Sequence, residues 1–266
     1  MKTLRYLLLC LAVLSLHSCD NMTEEIYLNE NGSGEYKVYA DMIPSIRMMA
    51  TQMSGLLGDS TGQEQMEQVD DAAINEYIWK DFPEGEIDSV FDYRETLDSS
   101  VLADPKNKEL LERMKGFMQG GREKGYLNMG IKMNFRDMAD LQALTKQIED
   151  NQKKEAGGGG EEEDMLGMGG LGDMKTETKY AMKGGVFTRT TKIISKPKVK
   201  EDEMGMFEMM FGTGKITTVI YLPENVKEVK GEYLKSKEGK KVVFEYPMMD
   251  YMLGKVTNTF EIVTAK

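Results

Sequence analysis

The side chains that most often carry out chemistry are nearly absent from this chain. Its one histidine, His17, and both cysteines, Cys10 and Cys19, fall within the first nineteen residues. Lys2 and Arg5 precede or abut a short apolar run, Tyr6–Leu16, and that pattern is a secretory signal. Removing residues 1–18 takes Cys10 and His17 away, and lowers the formal net charge of −11 further by the loss of Lys2 and Arg5. Cys19 is then the only thiol. What remains cannot build a Ser-His-Asp or Cys-His nucleophile, a histidine base, a His- or Cys-ligated zinc site or an internal disulfide. Carboxylates are plentiful, 45 Asp and Glu in all, and two of them could share acid-base work as in glycoside hydrolysis. Nothing in their spacing selects a pair, and most such residues form solvated faces. The expectation is a protein that is not an enzyme and uses no cofactor.

Methionine is the other chemically distinctive residue. The 23 methionines cluster at Met48/Met49/Met53, Met165/Met168/Met174, Met204/Met206/Met209/Met210 and Met248/Met249/Met252. Thioethers select Cu(I), so a Met-only copper site would need no histidine and stands as an outlying alternative. Packing is the plainer reading, because methionine fills irregular core gaps. Met42, Met49 and Met53 follow helical spacing, and Met129 and Met133 follow strand spacing. No metal site is assigned. Two groups escape both periods: Met165, Leu166, Met168, Leu171 and Met174, and Met206, Phe207, Met210 and Phe211. These are the candidate contacts with the acyl chains of a bilayer or a bound lipid. Gly212-Thr213-Gly214-Lys215 has the outline of a phosphate loop. Met209 stands where its first glycine belongs, Ile216 replaces the Ser/Thr, and a strand follows instead of a helix. It reads as a turn.

Leu16-His17-Ser18-Cys19 resembles the lipobox of bacterial lipoproteins, with leucine three residues before the cysteine and a small residue directly before it. The resemblance implies cleavage before Cys19 and its acylation, by palmitate or a similar chain. Each buried methylene contributes about 0.8 kcal/mol, so two or three chains anchor a protein without crossing the membrane. Residues 19–25 then read as an acidic tether, similar to that of surface lipoproteins in Bacteroidota. The expected location is the outer membrane of the cell envelope, with surface or periplasmic face left open. A pI near 4.9 excludes duplex nucleic acid as a partner, since its phosphates demand a basic face.

The elements follow from periodicity. Asn31-Gly32, between Ile26-Tyr27-Leu28 and Tyr36–Tyr39, predicts a hairpin and not a calcium loop. Met42, Ile46, Met49, Met53 and Leu56 predict a helix with Pro44 in its first turn. A weaker helix follows through Met66–Tyr77, its end pinned by Trp79 and Phe82, then a strand over Ile87–Tyr93. Asp104-Pro105 starts a helix with Leu110, Leu111, Met114 and Phe117 inward and a stop at Gly120-Gly121. Leu127, Met129, Ile131, Met133 and Phe135 alternate as a strand. Asp137 and Asp140 suggest a capping box for a helix carrying Met138, Leu141, Leu144 and Ile148. Residues 156–175, rich in Gly, Glu and Met, predict a mobile loop. Strands are expected at 179–182, 187–194, 216–222, 226–233, 241–246 and 256–263, with Met204–Phe211 a short helix or apolar loop. The whole is an α+β class, one antiparallel sheet with helices on one face, in a single domain over 26–266.

Leu28–Tyr36, Tyr221–Gly231 and Glu238–Phe244 together resemble LppM-type lipoprotein domains: a polar Gly-Ser opening into a strand, a strand-Pro-x-x-Val…Gly turn, and a Gly-x-x-Val-x-aromatic strand. Glu224-Asn225 replaces that family's glycine-bearing turn, and a long acidic, Met-rich middle is inserted. The resemblance implies an α+β envelope domain that binds lipid or glycolipid, and carries no catalytic residue over. The alternative is a protein-interaction or structural module of the envelope, with the partner unknown.

Overall fold

The computed structural model describes residues 21–44, 46–47, 75–76, 79–80, 82–96, 105–158, 175–196, 204–205, 208 and 212–265. Among the described residues, twelve strands form two sheets. They are β1 (Asn21–Leu28), β2 (Gly34–Asp41), β3 (Glu86–Asp92), β4 (Lys115–Gly121), β5 (Tyr126–Phe135), β6 (Lys175–Lys183), β7 (Val186–Ser195), β8 (Lys215–Tyr221), β9 (Val226–Gly231), β10 (Leu234–Glu238), β11 (Lys241–Pro247) and β12 (Phe260–Thr264). Helices α1 (Pro105–Arg113), α2 (Met138–Gly158) and α3 (Met248–Met252) join them, with a 3-10 turn at Tyr93–Thr96.

The α+β class expected from the sequence is the class that folds. The strands divide between two sheets where one was expected. The larger runs β10-β11-β8-β1-β2-β5-β4-β3 and the smaller β6-β7-β12-β9. One pair, β1–β8, is parallel, with Asn21 opposite Lys215 and Tyr27 opposite Tyr221. The chain changes sheet at Pro223-Glu224-Asn225. That corner is closed by Leu222 N–H to Lys240 C=O (2.8 Å), Val226 N–H to Gly239 C=O (2.7 Å) and Ala265 N–H to Asn225 C=O (2.7 Å).

The β1–β2 hairpin forms as expected. Gly32 takes φ +81, Asn29 N–H bonds Ser33 C=O at 2.8 Å, and the Asn31 side chain accepts from the Ser33 amide and hydroxyl at 3.0 and 2.7 Å. Gly34 follows for another reason: a Cβ there would stand 1.9 Å from the Tyr27 carbonyl oxygen. β5 alternates as read, with Leu127, Met129, Met133 and Phe135 buried. Asp137 caps α2 by accepting the Asp140 amide at 2.8 Å.

Several expectations are corrected. Asn21–Glu25 is the first half of β1, not a tether, and Glu24 points into the core. The helix after Pro105 ends at Arg113, and Phe117 lies on β4. Pairing on both sides, with β3 and β5, holds this segment extended, and Gly116 leaves room for the Phe91 ring that a Cβ would overlap at 2.1 Å. The strand expected over 226–233 ends at Gly231, with Tyr233 at φ +63 in the turn that follows, and β10 runs through part of the Ser236–Gly239 stretch read as a turn. α2 extends through Gly158 into the predicted loop; the remainder of that loop, 159–174, lies outside the described residues. So do most of the two helices expected between 42 and 77, although Trp79 is buried and meets Phe82 edge to face, centroids 5.7 Å apart.

The main core lies between the sheets, where Phe187, Phe260 and Ile262 of the smaller sheet meet Ile26, Leu28, Tyr36, Ile216, Ile220, Phe244 and Tyr246 of the larger. The Phe244 and Phe260 rings stack at 4.6 Å. A second cluster, Ala40, Met42, Ile43, Trp79, Ile87, Leu127 and Met129, covers one end of the larger sheet. Described methionines thus serve as core: Met42, Met114, Met129, Met133 and Met248 are all buried.

Candidate functional site

Along β1 the even-numbered residues face inward, so Glu24 shares a stripe with Ile26 and Leu28. On β7 the same alternation puts Arg189 between Phe187 and Thr191. The two charges meet inside the sandwich, Glu24 5% and Arg189 6% exposed, and the Arg189 guanidinium donates to the Glu24 carboxylate. Thr218 on β8 donates to the same carboxylate oxygen at 3.0 Å, and Asn258 Nδ2 approaches it at 3.4 Å. Asn258 also donates to Thr218 Oγ1 at 2.8 Å and accepts from the Tyr246 hydroxyl at 2.7 Å. Buried charge is tolerated only when paired and hydrogen-bonded, and this carboxylate is both.

The surroundings reinforce the pair. Arg189 lies over the Tyr180 ring, 5.4 Å from its centroid. Burial opposes its positive charge, while Glu24 and the phenols of Tyr180, Tyr251 and Tyr36 favour it, and the guanidinium pKa rises well above its ordinary value. Burial first, then the Glu24 charge, pushes the Tyr36 phenol well above its ordinary range. Burial does the same to Tyr180 and Tyr246. Arg189 Nε finds no hydrogen-bond partner among the described residues. Chemically the cluster is a closed latch: it ties β1, β8 and β11 of one sheet to β7 and the approach to β12 of the other. An ion-paired carboxylate shut away from water is not placed to exchange protons with a substrate.

On the outer face of β1 a ladder replaces apolar packing. Tyr27 and Tyr221, opposite one another in the parallel pair, stack at 4.3 Å, with Lys37 4.8 Å above one ring and Lys241 5.4 Å from the other. Glu25 accepts from Tyr27 at 2.8 Å and Tyr39 at 3.2 Å.

Strand register also fixes what lies at each end. Asn21 pairs with Lys215, Lys215 with Pro247, and Met22 with Ala40, so β1 begins where β2 and β11 finish. The described parts of two methionine-bearing connections gather there: the turn after Met42 and α3 with Met248, Met249 and Met252. Met249, Met252 and Tyr251 are half-buried against the core. Gly212-Thr213-Gly214 forms a turn into β8, as read, and Lys215 bonds Glu245 at 2.9 Å. Cys19 and the candidate contacts Met165, Leu166, Met168, Leu171, Met174, Met206, Phe207, Met210 and Phe211 lie outside the described residues. Among the described residues no helix is long and apolar enough to cross a membrane, and no group of three or more His, Cys, Asp or Glu could hold a metal ion.

The sequence reading missed Glu24 and Arg189. The available signal was a charged residue on the apolar parity of a strand, readable only once the strand is known to start at Asn21.

No family model matches the chain, and no curated protein matches it. Among solved structures it is similar to the NMR structure of the folded domain of LppM from Mycobacterium tuberculosis. That match has 10% identity and a TM-score of 0.36, and covers 92% of this chain and 88% of that one. A likeness at that TM-score assigns neither fold nor function.

Proposed function

We propose that this chain is a lipid-anchored protein of a bacterial outer membrane, held by acylated Cys19, that binds a lipid or glycolipid at the membrane surface and catalyses no reaction. One observation carries the reading: β1 begins only two residues after Cys19 and enters the middle of the larger sheet, between β8 and β2. An extended chain spans at most about 3.6 Å per residue, so acylation of Cys19 brings that end of the sandwich within about 7 Å of the headgroups. The methionine-bearing connections leave the fold at the same end. Flexible thioether side chains suit contact with varied acyl chains.

Mass spectrometry of the protein isolated from bacterial membranes tests both parts. The expected N-terminal peptide is Cys19–Lys37 carrying a diacylglyceryl group, and native spectra from detergent are expected to show one further lipid per chain. An unmodified or uncleaved N-terminus overturns the anchor. Acylated protein that retains no additional lipid overturns the ligand and leaves the anchor standing.

A further inference from the structure

The outer face of β7 carries an apolar residue where water should meet a polar one. Ile194 is 55% exposed, the most exposed large hydrophobic among the described residues. It sits at an irregularity in the hairpin: Thr176 pairs with Ile193 and Lys175 with Ser195, so Ile194 is the extra residue. A bulge re-aims a side chain and ends regular pairing. Lys192 and Lys196 flank it and are exposed, and exposed Lys175 ends the neighbouring strand. Gly254 packs beside them, since a Cβ there would lie 3.4 Å from both Ile193 Cδ1 and Lys196 Cγ, and this brings up Lys255.

Among the described residues, two carboxylates are near. Asp250 pairs with Lys255 at 3.2 Å, and Glu177, opposite Lys192, pairs with Lys179 at 3.1 Å. Lys175, Lys192 and Lys196 have no ion-pair partner among the described residues. On a chain of net charge −11, an exposed apolar side chain beside three lysines that have no ion-pair partner among the described residues stands out.

Position supplies the occupant. Glu24 and Arg189 are in contact, so they mark one level of the sandwich. Three residues of strand lead from Glu24 back to Asn21, two residues after Cys19, and five lead from Arg189 on to Ile194, the latter about 17 Å. Both run toward the same end, because Gly254, which touches Ile193, follows α3 and the end of β11 beside Asn21. We infer that the Lys192–Lys196 segment with Lys175 and Lys255 is a membrane-docking surface, Ile194 entering the bilayer that holds Cys19 and the lysines pairing with lipid phosphates. Apolar insertion beside basic residues is how a surface binds an anionic interface. This inference rests on the anchor reading above.

The test uses the acylated full-length mature chain in vesicles of phosphatidylglycerol and phosphatidylethanolamine. Acylation occupies Cys19, so Ile194→Cys offers one thiol for a polarity-sensitive fluorophore, and Glu224→Cys at the opposite end is the reference. The expected result is a blue shift and quenching by spin-labelled lipid at position 194 and neither at 224. Lys192→Glu with Lys196→Glu, or high salt, is expected to reduce both signals, since screening weakens attraction to the surface. Equal water exposure at 194 and 224 on a chain that mass spectrometry shows to be acylated overturns the docking surface alone. Absence of acyl groups on Cys19 overturns the anchor and the docking surface with it.

Discussion

Glu24 and Arg189 pose the sharpest question at the scale of single residues, because each would be costly alone in an apolar interior. Their mutual charge, with Thr218, Asn258 and Tyr246, satisfies what burial removes. Breaking one partner of such a pair leaves an uncompensated charge, whereas replacing both by apolar side chains is often nearly neutral. Arg189→Met is therefore expected to lower stability by about 3–5 kcal/mol in urea unfolding. Glu24→Leu combined with Arg189→Met is expected to recover most of that loss. A double variant as unstable as the sum of the singles would mean that the pair contributes no coupling, and that shape alone holds the sheets together.

Among the elements, α2 depends on its first turn. Asp137 accepts the Asp140 amide, and the Asp140 carboxylate accepts Arg136 N–H at 2.8 Å and grips Arg113 at 2.6 and 3.0 Å. This departs from a reciprocal capping box: the second carboxylate ties α2 to the end of α1. Asp137→Ala is expected to cost about 1 kcal/mol. Burial opposes the Asp140 charge, but hydrogen bonds from Arg113 and Arg136 prevail and hold its carboxyl below the ordinary 3.8. A lowered folded value stabilises fully above the unfolded value, and that stabilisation is lost as pH falls through the folded one. Asp140→Asn is therefore expected to be less stable than the parent at neutral pH, with the gap closing as pH drops below 3.8. A gap independent of pH would show that the asparagine loses packing and not charge.

For the whole molecule, the core shared by the two sheets includes Tyr36, Tyr180 and Tyr246. Burial pushes up the phenols of Tyr36, Tyr180 and Tyr246 inside the sandwich, and those of Tyr27 and Tyr39 on the outer face, where Glu25 adds to the effect. A raised folded value means that the stabilisation is present below the ordinary 10.0 and is lost as pH rises beyond it. Phenolate absorbance is expected to show these tyrosines silent near pH 10, then appearing together with loss of near-ultraviolet circular dichroism as the fold opens. Gradual ionisation of all tyrosines with the fold intact would contradict the closed core. The same architecture would tie the proposed anchor to the core. β1 is paired on both sides and latched across the sandwich, so force on Cys19 would be borne by the interior of the larger sheet.

The inventory of reactive residues, the β1–β2 turn, β5, the α2 cap and the β6–β7 hairpin follow from the sequence alone. Each is written in local chemistry: a residue type that is present or absent, an Asn-Gly turn, a period of two, an Asp before a helical stripe. The division into two sheets, the parallel β1–β8 pair, the extended state of Phe117 and the strand at Asn21–Glu25 were decided by tertiary structure. A strand's partners are chosen by contacts far along the chain, and an acidic run reads the same whether it is solvated or paired. Glu24 looks like spacer until Arg189, 165 residues away, is brought against it. Ile194 looks like one more core residue until the strand's parity is known and places it on the outer face with Thr190 and Lys192.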